Sequence, residues 1–584
     1  MKKIALILAV LLSAAVFAQE RVVERTYVST DRDVYVAGER IWYSAFCLDA
    51  TKGTFSPISN VAYVELHDGE TMVASGKVAL VDGRGAGQLL LPTALPTGNY
   101  RLIAYTAQNK AERGYDYTGL ASKTISVFNV FSGERVKDGV EIVSEGAYEG
   151  LRSRIRSGMT NSEGVTRHSL PLVAAFPPVG SGLDPESLEM SWSDDGLTLT
   201  NHSDQAATLS LSVTHDDGIL SNTNPTIADF MAQARQVGPR QFDNSVVPEY
   251  EGEIIRGHIT GFSEAMIPEL VGKFAFISTP SRASDVYASV IDDEGKVAFY
   301  TGNIYGNQEY ICEIEGINPS LNCFIELESP FVNAPVAPTE KLPLSPAIEE
   351  ALLSRSVAMQ IERQFTGDTL LDPLAVRQPG LFGEDEIVYI LDDYTRFTTM
   401  EEVLIEFVQE LKARRRSDGS REIQVRLNDG TIWSFSSLPS LMMIDGVPVF
   451  DQEKILQYDP LLVQEIRIYP RTYYIGKRSF DGIANFVTYK HNLPGFQFGN
   501  NVRVVDYQGV SWPTAYTGAS LVGKDDYPDY RQTIWWHPLL TLAPGQTLVI
   551  PCKMPDYTGR FKVSAEGLAA DGTPVRAETS FFSK

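Results

Sequence analysis

Cysteine is scarce: Cys47, Cys312, Cys323 and Cys552 are the four in a chain of 584 residues. That excludes a small scaffold stapled by dense disulfides. Past residue 18 no apolar run reaches the roughly 18 residues that a membrane-crossing helix needs, so no direct membrane span is expected. Positive charge is short as well. Lys and Arg number 50 against 74 Asp and Glu, a formal net charge of −24. Nucleic acid demands a basic face and is excluded as a partner. Adsorption to an anionic bilayer is disfavoured for the same reason, while solubility is served. Catalytic signatures are missing too. There is no HExxH, no CxxC pair, no GxSxG elbow and no Walker loop. His67, His168, His202, His215, His258, His491 and His537 are scattered, and His67 and His215 sit beside Asp at expected surface turns. Carboxylates are abundant, but nothing singles out a glycosidase pair. No enzyme activity, cofactor or metal is expected.

What is present begins with an export signal. Lys2 and Lys3 precede an apolar stretch, Ile4 to Val16, and Val16-Phe17-Ala18 fits a cleavage site. Residues 1–18 read as a signal peptide, with a mature start expected at Gln19. No Cys stands at that site, so no lipid anchor is expected. Export permits disulfides. Cys312 and Cys323 flank a Gly-Ile-Asn-Pro-Ser turn, as a disulfide closing a hairpin or as two buried thiols. Cys47 and Cys552 read as thiols.

Most of the chain reads as short strands with Gly, Pro and Asp turns. Residues 19–130 alternate through Trp42, Ser44, Phe46 and Leu48 after a turn at Ala37-Gly38-Glu39. Gly83, Gly85 and Gly87 lack the Lys and following helix of a phosphate loop, so a hairpin turn accounts for them more simply. Residues 131–245 form a second β domain with a short helix, Thr226 to Gln236. Residues 246–330 form a third. There "DDEG", Asp292 to Gly295, could bind calcium but lacks spaced ligands, and a hairpin turn suffices. Residues 331–381 are a proline-rich linker and a helix. Residues 493–584 return to β. "IWWHP" holds Trp535 and Trp536 beside His537: an aromatic contact for a sugar, or a strand packing on its neighbour sheet.

Residues 382–492 differ. Thr399 and Glu402 form a capping box, and Met400, Val403, Leu404, Phe407, Val408 and Leu411 follow helical spacing. Lys412 and Arg414 to Arg416 either complement that helix's C-terminus or bind a partner's acid. Leu441 to Ile444 is continuously apolar, as a strand covered on both faces would be. Asp445-Gly446 is a tight turn. Asp451 caps a short helix through Leu456, and Asp459-Pro460 starts another turn.

Two stretches carry resemblances. "YVAGERIWYSAFCLD", "AYVEL" and "LPTGNYRLIAYT" resemble the macroglobulin-type (MG2) immunoglobulin-like domain of exported Bacteroidetes proteins. The CGEQ thioester and bait region of protease-trapping macroglobulins are missing, so no covalent trap is implied. The series Ile444-Asp445-Gly446-Val447-Pro448, Asp459-Pro460, Glu465-Ile466 and Gly482-Ile483 resembles the plug of TonB-dependent outer-membrane receptors. The domain order, with "EIVYILDDYTRFTTMEEVLIEFV" and "YRQTIWWHP", is similar to a Bacteroidetes group joining MG2, immunoglobulin-like and plug-like domains. A receptor barrel needs about 22 strands, roughly 200 residues or more. Residues 493–584 leave no room for it, and transport through a pore of its own is not expected. The resemblance implies a multidomain, mainly β chain: macroglobulin/immunoglobulin-like sandwiches plus one small α/β plug-like domain. It implies location in the periplasm or at the outer membrane or surface of a Gram-negative cell, with an outer-membrane protein or complex as partner. A glycan is the alternative ligand. Asp445, Gly446, Pro448 and Gly482 would then be a structural turn or docking residues.

Overall fold

The computed structural model describes residues 21–583, apart from 120–121, 133–134, 159–186, 194–195, 262–265, 282–284, 318–321, 334, 338, 366–370, 377–381, 383–385, 418, 429–432, 436–437, 519–520 and 522–526. Residues 1–18, Gln19 and His168 therefore lie outside the described residues. The chain divides into two units. One holds the residues up to Tyr250, Phe331–Ala375 and those from Val510 onward; the other holds Glu251–Pro330 and Val376–Gly509.

In the first unit, alternation builds a sandwich. Strand Arg40–Asp49 pairs antiparallel with Glu24–Thr30 and Arg84–Leu90. The second sheet runs Val34–Val36, Lys123–Phe128, Gly98–Thr106, Val61–His67, Met72–Ala79. Tyr35, Tyr43, Leu66, Leu89 and Ile125 fill the core. Gly85 and Gly87 are strand residues at points of close approach. A Cβ on Gly85 would lie 2.4 Å from the Ala79 carbonyl oxygen, and one on Gly87 2.6 Å from the Tyr43 ring.

The strands of residues 188–215 and of the C-terminal segment, expected in two separate domains, share one sandwich. Gly196–Asn201 pairs with Leu188–Ser193 and with Thr547–Ile550. Ala207–His215 lies between Thr533–Leu542 and Gly559–Ala569, with Pro574–Ser583 at the edge. Neither set completes its sheets alone. Helix Ile227–Ala234, capped by Thr226, packs Ile227, Phe230 and Met231 against Tyr27, Phe46 and Leu568. The proline-rich segment is extended but docked rather than free. Leu342–Leu344 pairs in parallel with Val140–Ile142, and the Val336 amide donates to the Gly69 carbonyl. Helix Glu349–Phe365 follows as expected.

The second unit holds a sandwich and a mixed α/β domain. The sandwich sheets are Lys296–Tyr300, Ile254–Thr260, Phe324–Leu327 and Asp285–Val290, Phe274–Thr279, Asn307–Ile314, Arg503–Gln508. The last strand was expected in the C-terminal domain. Asp292 closes its turn by accepting from the Glu294 and Lys296 amides, and that turn joins strands of different sheets rather than a hairpin. All four cysteines are free, which corrects the Cys312–Cys323 disulfide. Cys312 lies on Asn307–Ile314 and Cys323 leads into Phe324–Leu327, a strand of the other sheet, so no hairpin brings them across from each other. Both are buried in the apolar core.

In the α/β domain, five strands run Ile387–Ile390, Val463–Ile475, Arg478–Thr488, Leu441–Ile444, Val447–Pro448. Leu441–Ile444 is covered on both faces: Met442 and Ile444 join one core, Leu441 and Met443 another. The capped helix is Met400–Glu406 and stops before Phe407. Leu411–Arg415 is a strand, paired antiparallel with Arg421–Asn428, which corrects the longer helix. Leu411 and Ala413 point inward at period two, and that pairing outcompetes helical continuation. Gln452, not Asp451, stands at the cap of helix Glu453–Leu456.

Gly85→Ala is expected to lower stability by about 1–3 kcal/mol, because the added methyl meets backbone. Gly146→Ala, with open space around its Cβ in helix Glu145–Gly158, is expected to be neutral or stabilising by up to about 1 kcal/mol. Denaturant titration of both variants checks this.

Candidate functional site

The plug-like motif is built around one buried carboxylate. Asp445 (φ 48°) and Gly446 (φ 82°) both adopt the left-handed conformation that a two-residue turn requires. The turn sets Ile444 opposite Val447 and Met443 opposite Pro448. Asp445 is fully buried. Its carboxylate accepts from the Thr488 amide at 2.6 Å, the Thr488 hydroxyl at 2.7 Å and the Leu493 amide at 2.8 Å. The Gly446 amide donates to Asn485 Oδ1 at 3.0 Å. Gly482 (φ 82°) is placed where a Cβ would come 2.3 Å from the Val425 Cβ, so only glycine lets the two sheets approach. These residues are engaged internally and buried. The turn organises the domain and presents no acceptor to a ligand.

Trp535 and Trp536 are not a sugar platform. Trp535 packs in the core of the second sandwich, and Trp536 is 1% exposed against Trp42, Tyr516 and Leu521. Both faces are covered over Thr533–Trp536, so this part of the strand hides both rings. His67 also departs from the surface turn expected for it. It is fully buried and bonds Glu65 Oε2 at 2.7 Å. Tyr105 Oη and the Val332 amide donate to the same carboxylate. Burial alone would raise the Glu65 carboxyl, but these hydrogen bonds outweigh it and hold it below the usual range. Sealed from solvent, the cluster pins the segment after Phe331 and cannot meet a substrate.

A crevice of about 110 Å³ opens beside Trp42, Tyr516 and Glu362, lined also by Arg32, Glu39 and Arg40. Trp42 and Tyr516 stack with centroids 5.6 Å apart, and Tyr516 Oη donates to Glu362 Oε1 at 3.2 Å. Burial, then the charge of Glu39, raises the Glu362 carboxyl. Arg32 pairs with both Asp31 and Glu39 at 3.2 Å. The lining offers donors and acceptors, among them the Thr533 hydroxyl, which donates to Asp31 Oδ2 at 2.6 Å. Its residues come from distant parts of the chain, and no local pattern marks them. A wider groove of about 510 Å³ runs along helix Glu349–Phe365, lined by Phe131, Val357, Ile361 and Phe365. Among the described residues no group of three or more His, Cys, Asp or Glu could hold a metal, and no helix is long and apolar enough to cross a membrane.

In the second unit the Glu313 carboxyl is held above its ordinary range. Glu313 lies on the same strand face as Ile311, which enters the α/β core. Burial pushes its carboxyl up to about 8, Lys454 lowering it and Asp451 raising it further.

No protein-family model matches this chain, and no curated protein matches it. Among solved structures it is similar to Escherichia coli alpha-2-macroglobulin activated by porcine elastase, at 9% identity and a TM-score of 0.23, covering 96% of this chain and 44% of that one. The tetra-tandem repeat in the extending region of a large adhesion protein matches at 9% identity and a TM-score of 0.12, covering 96% of this chain and 100% of that one. Dimeric latent PorU from Porphyromonas gingivalis matches at 10% and 0.14, covering 96% and 34%. The chain thus spans less than half the length of the first of these. At such scores none bears on what this chain does. Its class rests on its own sheets: a mainly β, multidomain chain of sandwiches with one mixed α/β domain.

Asp445→Ala would leave three buried donors unmatched and is expected to cost about 3 kcal/mol or more, read by denaturant titration. Glu313→Gln tests a pH effect. An unfolded carboxyl ionises near 4.5 and the folded one near 8, so between these values the folded state keeps a proton that the unfolded state has lost. Stability contributed by this site therefore falls as pH rises through that window. The variant should melt higher than wild type near pH 9 and alike near pH 4.

Proposed function

We propose that this chain is a non-enzymatic scaffold of the cell envelope that docks to a protein partner, at the outer membrane or in the periplasm. One observation carries the reading. Helix Glu349–Phe365 buries Arg355, Ala358 and Met359, and among the described residues nothing covers an apolar ridge on its other face. Leu353 is 60% exposed, Val357 51% and Phe365 63%, with Ile361 between them on one ridge at i, i+4 spacing. Ser354, Gln360, Arg363 and Gln364 border it, and Phe131 lines the same groove. A contiguous exposed apolar patch of this kind marks a protein contact. The α/β domain, plug-like in its motif, adds a second surface to the same role. The glycan alternative loses its residues, since Trp535 and Trp536 are buried.

A photo-crosslinking residue at Val357, activated in intact cells, should yield a discrete adduct with an envelope protein. Leu353→Glu with Val357→Glu should abolish capture without lowering the melting temperature. Recovery of the chain only as an uncrosslinked monomer would sink the reading.

A further inference from the structure

Of the basic cluster, Lys412, Arg414 and Arg415 sit on a strand and Arg416 directly follows it, so complementing a helix C-terminus no longer accounts for it. Strands Leu411–Arg415, Arg421–Asn428 and Trp433–Phe435 form one three-stranded sheet. Leu411, Ile423 and Val425 point into the core. The opposite face is set by register: Lys412 stands opposite Gln424, Arg414 opposite Glu422, Arg426 opposite Phe435. Lys412, Arg414, Arg416 and Phe435 are exposed. Lys412 Nζ lies 5.8 Å from the centre of the Phe435 ring. Arg414 Nη1 donates to Gln424 Oε1 at 2.9 Å, and Arg416 Nε to Glu422 Oε2 at 2.6 Å. Among the described residues of these three strands, Glu422 is the one acid on that face. A chain of formal charge −24 thus carries a cationic sheet face beside an exposed aromatic ring.

We infer that this face docks an acidic, extended segment of a protein partner. Three features select that occupant. Arginine forks pair with carboxylates, as Glu422 already does with Arg416. Among the described residues the strand Leu411–Arg415 pairs with a strand on one side only, so beyond Leu411, whose amide donates to the Val408 carbonyl, an added strand can bond its outer edge and set alternate carboxylates beside Lys412 and Arg414. A short acidic peptide stays within the patch. A polyanion such as nucleic acid, or an anionic bilayer, extends past it and meets the acidic remainder of the chain. Cations on an edge strand also guard against aggregation, and the test separates the two roles. The inference deepens the docking role above, and its test is independent of the helix face.

The full chain is titrated by fluorescence anisotropy with a labelled peptide alternating glutamate and valine, at low and at high salt. The same titration uses the glutamine analogue and vesicles containing phosphatidylglycerol. Saturable binding of the acidic peptide is expected, weakened at least tenfold by high salt, by the glutamine analogue, or by Lys412→Gln with Arg414→Gln. Leu353→Glu should leave it unchanged, so failure here and failure of the helix-face reading are distinguishable. Equal binding of the glutamine analogue, binding to vesicles alone, or no peptide binding with aggregation of the double variant would each overturn the inference.

Discussion

The pairing of Ala207–His215 with Thr533–Leu542 and Gly559–Ala569 is the constraint on which the rest depends. Leu209, Leu211 and Val213 are wholly buried between those neighbours and the facing sheet. The second sandwich closes only when chain segments separated by more than 300 residues meet. Everything between them, including the whole second unit, leaves and re-enters the first unit at Tyr250–Glu251, Pro330–Phe331, Ala375–Val376 and Gly509–Val510. Ordering such a loop is costly in entropy, but the cost grows only slowly with its length. A continuous apolar interface can therefore carry it.

Within that frame, acidic residues act as internal fasteners. Glu24 accepts from Ser56, Ser59 and Thr106, and Asp445 from Thr488 and Leu493. Asp529 pairs with Arg531, both almost completely buried. Glu24 and Asp445 tie together strands or turns that are distant in sequence, Asp529 holds Arg531 two residues on, and all three have their oxygens occupied. A buried charge is tolerated only on those terms. The same saturation commits the oxygens of these three groups to holding the fold.

What remains for recognition is the surface. The first unit exposes an apolar helix ridge, and the second a cationic sheet face. Both contrast with an acidic exterior. Apolar burial favours affinity at one, and charge complementarity favours selection and rate of encounter at the other. The docking role proposed above rests on these two faces.

Local chemistry was legible. The Ala37-Gly38-Glu39 and Asp445-Gly446 turns, the Thr399 and Asp459 caps, and the doubly covered strand Leu441–Ile444 follow from neighbouring residues alone, because period, φ preference and side-chain capping act over a few positions. The fate of Phe407 to Arg416 was not legible. Its apolar spacing fits a helix and a strand alike, and pairing with Arg421–Asn428 decided it. The burial of Trp535, Trp536 and His67, the separation of Cys312 from Cys323 into two sheets, and the basic face opposite Ile423 and Val425 belong to the same class. By itself the sequence determined strands, turns, caps and the mainly β class. Only the tertiary structure decided which distant strands share a sheet and hence which face of each is hidden, because register with a remote partner leaves no mark on local spacing.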